Sequence, residues 1–157
     1  MLIGKYLTLE ECCKSATAIR LNIANKPTGQ QIIAMQTVAS KVYDKVCEHF
    51  LLKIPVTSFY RSVELNSAIS GSSRTSQHCR GEAMDLDLDR TMNGVTNKMM
   101  FDYIRQHLDF DQLIWEFGTN ANPDWVHVSY DVAGKNRKNI LMGLKENGKT
   151  VYKPIIY

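Results

Sequence analysis

The chain has 157 residues, of which 44% are hydrophobic and 22% charged, with a formal net charge of +3. That length suggests one domain, residues 1–157, with a core large enough to fold without disulfides. The balance excludes a disordered chain, and the mild, dispersed positive charge offers no basic stripe for nucleic acid.

The N-terminus, "MLIGKYLTLEECC", has neither a long apolar region nor a cleavage-site pattern, so no signal peptide is expected. Thr8 and Glu11 have capping-box spacing, and "LEECCKSATAIRL" runs on without Gly or Pro, predicting one helix. After the turn "NKPTG", Thr28 and Gln31 offer a second capping box. Behind them Ile32, Met35, Ala39, Val42 and Val46 recur at helical steps, predicting an amphipathic helix to about His49. "IPVTSFY" is β-branched and aromatic and reads as a strand, whereas "SAISGSSRTSQ" reads as a polar loop.

"AMDLDL" alternates, with Met84, Leu86 and Leu88 on one side and Asp85 and Asp87 on the other. Thr96 caps a predicted helix over 97–108. "QLIWEF" and "WVHVSY" are two further strands, and Asn147-Gly148 marks a hairpin between the last two. No apolar run approaches the roughly 20 residues that cross a membrane. Cys12, Cys13, Cys47 and Cys79 form no CxxC pair and read as reduced thiols. Lys135, Arg137 and Lys138 are the one tight basic cluster, a solvated loop or a contact to an anionic substrate. Helices first and strands later predict an α+β fold, with N-terminal helices packed on a mainly antiparallel sheet.

The densest chemistry lies in "SQHCRGEAMDLDLD". On a helix His78 and Asp85 would stand about 10 Å apart, too far to share a metal. Gly81 instead allows a turn, so that His78 on a loop and Asp85 on a strand converge. His127 supplies a third ligand, sharing a strand face with Trp125 and Ser129. His49 and His107 read more simply as helix C-terminal residues facing the negative end of the dipole. Two histidines and one carboxylate leave a coordination position open, the catalytic pattern for zinc. Manganese, cobalt or iron would also accept these ligands.

Hydrolysis further needs a proton acceptor and a cation near the developing oxyanion. Asp124, on the bend after Pro123, is the first candidate acid/base; Glu116 and Asp87 are its rivals. Arg61, directly after a strand, is the candidate cation. Taken singly, each residue also has a plain structural role open to it: loop histidine, sheet histidine, ion-pair partner or turn former.

The pattern Ser76, His78, Gly81, Ala83 and Asp85 resembles a signature of the zinc D-Ala-D-Ala carboxypeptidase family, metallopeptidase family 15. "PDWVHVSY" is similar to that family's second signature, and "SFYRSVELN" to its upstream segment. The resemblance covers residues 54–130. It implies a hedgehog/D-Ala-D-Ala peptidase-like fold and Zn2+ held by His78, Asp85 and His127. It further implies that Asp124 is the acid/base, that Arg61 assists the carbonyl oxygen, and that Ser76 lies near bound peptide and supports His78.

The implied substrate is the peptide stem of bacterial peptidoglycan, cut in D-Ala-D-Ala carboxypeptidase or L-Ala-D-Glu endopeptidase fashion by a monomer. Aspartate at position 124 matches the phage endolysin branch. That branch, with no export signal in the sequence, implies a phage or prophage product released at lysis or carried in the virion. The alternative is a catalytically silent, metal-stabilised binding or virion structural module of the same fold. An intact acid and arginine weigh towards the enzyme.

Overall fold

The computed structural model describes residues 1–91 and 94–156. Six α-helices and six strands follow one another along it: α1 Leu9–Cys13, α2 Ala16–Leu21, α3 Gly29–Val38, α4 Asp44–Phe50, β1 Val56–Ser58, α5 Val63–Ala68, β2 Ala83–Leu86, α6 Asn97–His107, β3 Gln112–Glu116, β4 Trp125–Ser129, β5 Asn139–Glu146 and β6 Lys149–Pro154. The fold is α+β, as the order of segments predicts. No helix among the described residues is long and apolar enough to cross a membrane.

Both capping boxes form, Thr8 with Glu11 and Thr28 with Gln31. The first predicted helix, however, is two. Ser15 leaves the helical conformation, and its hydroxyl accepts from Ala18 N to start α2. A serine between helical turns competes for backbone donors in this way. The second predicted helix runs through to Phe50, but by way of a π-helical turn over Ala39–Tyr43. That turn buries Ala39, Val42 and Tyr43 together, and the Tyr43 hydroxyl donates to Ile54 O at 2.7 Å. The predicted strand over 54–60 shrinks to three residues. Helix α5, which the sequence reading did not anticipate, begins at Ser62, whose hydroxyl accepts from Leu65 N.

The sheet order is β1-β2-β4-β3-β5-β6. Every neighbouring pair is antiparallel except β3 and β5, which run parallel. One face is apolar: Met84, Leu86, Leu113, Trp115, Val126 and Val128 join Met35, Val42 and Phe101 in a single cluster. Each large side chain so buried contributes roughly 1.5–3 kcal/mol. Because side chains alternate along a strand, that burial fixes the opposite face for Asp85, Ile114, Glu116, Trp125 and His127. The core thus decides where the polar residues stand.

Candidate metal centre

His78 sits in a single 3-10 turn, Gln77–Arg80, that ends at Gly81 with φ 73°. Here glycine answers two demands. The left-handed conformation suits it, and a Cβ at this position would lie 2.6 Å from the Gln31 carbonyl oxygen of α3. Gln31 also donates from Nε2 to Cys79 O at 2.9 Å, so α3 holds the turn from below. Two residues after Gly81 the chain enters β2, and the register sets Asp85 directly opposite His127 of β4. The expected loop-then-strand convergence is what the structure contains.

The three side chains meet at their tips. His78 Nε2 and His127 Nδ1 are 3.3 Å apart, His127 Nδ1 and Asp85 Oδ1 2.8 Å, and His78 Nε2 and Asp85 Oδ1 3.4 Å. Zinc bonds of about 2.0–2.2 Å in a tetrahedron separate ligand atoms by about 3.3–3.5 Å. The donors therefore stand at close to ligand spacing, and this trio is the metal-capable group among the described residues. His78 Nδ1 donates to the Phe59 carbonyl at 2.7 Å, which leaves Nε2 as the free lone pair. Burial pushes the His78 imidazole down and so keeps it in the neutral, coordinating form. Burial works against the Asp85 carboxylate too, but its two histidine neighbours outweigh it and hold the group well below the usual carboxylate range.

Arg61 belongs to the same cluster, though not as a free cation. Its Nη2 donates to Asp85 Oδ2 at 2.9 Å and its Nε to Ser58 Oγ at 2.9 Å. One carboxylate oxygen is thereby held by Arg61, while the other faces the histidines. The segment is pinned by Asn25, whose side chain donates to Tyr60 O and accepts from Ser62 N, on either side of Arg61. The guanidinium still borders the groove above the site.

That groove encloses about 1040 Å³ and contains His78, Asp85 and His127, with Ser76, Glu116 and Tyr152 along its walls. Ser76 thus borders the groove. The hydrogen bond that orients His78, however, comes from Phe59.

The two main rival acids part company. Glu116 lies on the site's face of β3, 5% exposed; Tyr152 donates to its Oε1 at 3.4 Å, and its Oε2 has no partner. Burial raises its carboxyl to about 7. Asp124 does sit on the bend before β4, but it has the phase of Val126 and Val128, opposite to His127. Its exposed side chain lines a separate hollow with Asp87, Asp89 and Asn122. Asp87 stands there as well, accepting from Arg90 and Asn97. The structure brings Arg61, His78, Asp85, His127 and Ser76 to one groove, and Glu116 with them; Asp87 and Asp124 are not among them.

Sequence reasoning missed Gly143 and Tyr152. The Asn147-Gly148 turn, with φ 50° and 76°, pairs them across the last hairpin, which strand counting from the turn would have given. Nothing local announces that β5 runs parallel to β3 and so carries both residues to Glu116.

No match to a curated protein was found. The Peptidase M15 family matches residues 5–129, a segment that holds all three candidate ligands and stops where β4 ends. The β5–β6 hairpin lies beyond it. With the match covering most of its length and the donor trio inside the matched segment, the chain belongs to the Peptidase M15 family of peptidases.

Proposed function

We propose that the chain, acting as one domain, is a zinc peptidase that hydrolyses an amide bond in the peptide stem of bacterial peptidoglycan. The observation that carries this is the His78–Asp85–His127 trio at ligand spacing on a groove of about 1040 Å³. Zinc, when bound there, supplies the Lewis acidity that lowers the pKa of a water and polarises an amide carbonyl. Membership of the peptidase family supports the reaction class.

The chain's own residues divide the remaining work. Arg61 braces Asp85 through Oδ2, which fixes the orientation of Oδ1 and spreads positive charge towards the carbonyl oxygen. Glu116 takes the proton from the attacking water and hands it to the departing amine. What supports Glu116 in this role, rather than Asp124, is its place on the same sheet face as His127, its burial, and a carboxyl raised to about 7. A group poised near neutral pH both accepts and returns a proton. Phe117 and Trp125 offer apolar contacts along the groove. Lys135 and Lys145 border the groove as well, and their charges suit the free carboxylates of a stem peptide.

The test is digestion of purified peptidoglycan by the zinc-loaded protein, with and without a chelator, followed by mass analysis of released fragments. Chelator-sensitive release is expected, and the fragment masses distinguish carboxypeptidase from endopeptidase cleavage. One equivalent of bound zinc with no release from several wall chemistries would instead favour a silent binding or virion structural module. Release unaffected by the chelator would remove zinc from the reaction.

A further inference from the structure

Glu116 is the last residue of β3, and the β5–β6 hairpin closes around its carboxyl group. Gly143 pairs with Glu116 across the parallel strands, and Tyr152 pairs with Gly143 across the hairpin. The Tyr152 hydroxyl donates to Oε1 at 3.4 Å. On the other side, Oε2 lies against Gly143. A Cβ at residue 143 would stand 2.6 Å from Oε2 and 3.1 Å from Tyr152 Cε1.

Gly143 lies in the interior of an eight-residue strand and is not among the positive-φ glycines. The backbone therefore makes no demand for glycine here, and a glycine weakens a strand. The demand comes from the carboxyl group, which occupies the volume a side chain would fill. Tyr152 supplies the complementary restraint. Burial, with Glu116 beside it, raises its phenol to about 12, so the hydroxyl stays a donor across the neutral range.

We propose that Gly143 and Tyr152 are positioning residues for the hydrolysis, one making room for the Glu116 carboxyl group and the other anchoring it, so that the hairpin is part of the catalytic apparatus. This rests on the reading of Glu116 as the proton carrier. Both residues lie outside the family-matched segment, so the hairpin adds a wall to a site whose ligands the matched segment already contains. The proton passes from water to the carboxylate and on to the amine nitrogen, while the Tyr152 O–H bond stays intact throughout. The charged groups acting on Glu116 besides the hairpin are His127, Asp85 and Arg61.

The experiment compares zinc-loaded parent, Tyr152→Phe, Gly143→Ala and Glu116→Gln on a soluble stem peptide prepared from a peptidoglycan the parent digests. Tyr152→Phe removes one oxygen and is expected to lower kcat about tenfold with KM unchanged, zinc content intact, and the acid limb of the pH profile moved upward. Gly143→Ala, whose new methyl displaces the flexible end of Glu116, is expected to lower kcat with zinc retained. Parent-like kcat and pH profile in both variants, beside an inactive Glu116→Gln, would overturn the proposal and leave the peptidase reading standing. An active Glu116→Gln overturns both the proton step and the proposal. Should the parent cleave nothing, the 13C-carboxyl titration of Glu116 in the zinc-loaded protein decides. A higher midpoint in Tyr152→Phe sustains the anchor, and an unchanged one overturns it. If Gly143→Ala fails to fold, Tyr152→Phe still gives the answer.

Discussion

Two acid-bearing hollows lie at the β3–β4 end of the sheet, and their carboxylates live differently. In the hollow with Asp124, Asp87 accepts from Arg90 and Asn97, and Asp89 accepts from Asn97 N and Asn122 Nδ2. Asn97, fully buried, also donates to the carbonyls of Pro123 and Asp124 and accepts from Leu88 N. These acids tie loops together. In the groove, by contrast, Asp85 faces two histidines across ligand distances, and Glu116 keeps an oxygen with no partner. A native protein leaves few buried polar atoms unpaired, and those it leaves ask for a reason. The contrast teaches that neighbouring acids differ in what their oxygens have left to offer: those of Asp87 and Asp89 are spent on loops, whereas Glu116 keeps one unspent.

The sharpest break of this contrast is His127→Ala. It is expected to lose both stoichiometric zinc and peptidase activity, measured by metal analysis and fragment release; retained zinc would remove His127 from the ligand set. Next comes the pair of acids. Glu116→Gln should lower turnover by about 10²–10⁴-fold with zinc retained, while Asp124→Asn should stay within about twofold of the parent. The reverse order would return the acid/base role to Asp124. Arg61→Ala should weaken zinc binding about 10–100-fold, through loss of the brace on Asp85, read by competition with a chromogenic chelator. Unchanged affinity would confine Arg61 to the substrate.

Smaller effects fall on stability. Asn97→Ala strips partners from Leu88 N, Pro123 O and Asp124 O, and should cost about 3 kcal/mol in denaturant unfolding with little change in turnover per folded, zinc-loaded molecule. Metal-free protein should also report Glu116 through pH. Its carboxyl is raised from 4.5 to about 7 by burial, so the folded state binds the proton more tightly than the unfolded chain. Stability present below about pH 4.5 is then lost as pH rises to about 7, by roughly 3 kcal/mol. Glu116→Gln should flatten that slope, and an equal slope in both proteins would mean that Glu116 titrates normally.

Much of this could be read from the sequence, and the parts that could not share a cause. The convergence of the candidate ligand trio was legible because each residue follows a local rule: a glycine turn after His78, period-two alternation at Asp85 and at His127. The apolar phase of "WVHVSY" also bears on where Asp124 stands, since a residue one step before Trp125 has the phase of Val126 and not of His127. Illegible were the break at Ser15, where one hydroxyl competes with the helix, and helix α5, too short to show a period. The parallel docking of β5 on β3 was hidden for a different reason. It depends on pairing between segments about 25 residues apart, and no local pattern states which edge a strand will join.

That docking also sets an order in time. The last of the three candidate ligands is residue 127, and the wall around Glu116 comes only with residues 139–154. A chain emerging from the ribosome in sequence order therefore completes its candidate donor set before it completes the surroundings of Glu116. Until the hairpin closes, the Glu116 carboxyl group lacks both Gly143 and Tyr152, the hairpin neighbours that surround it in the folded chain. The metal-capable trio and the enclosure of Glu116 are thus acquired in two steps, and the second waits for the final hairpin.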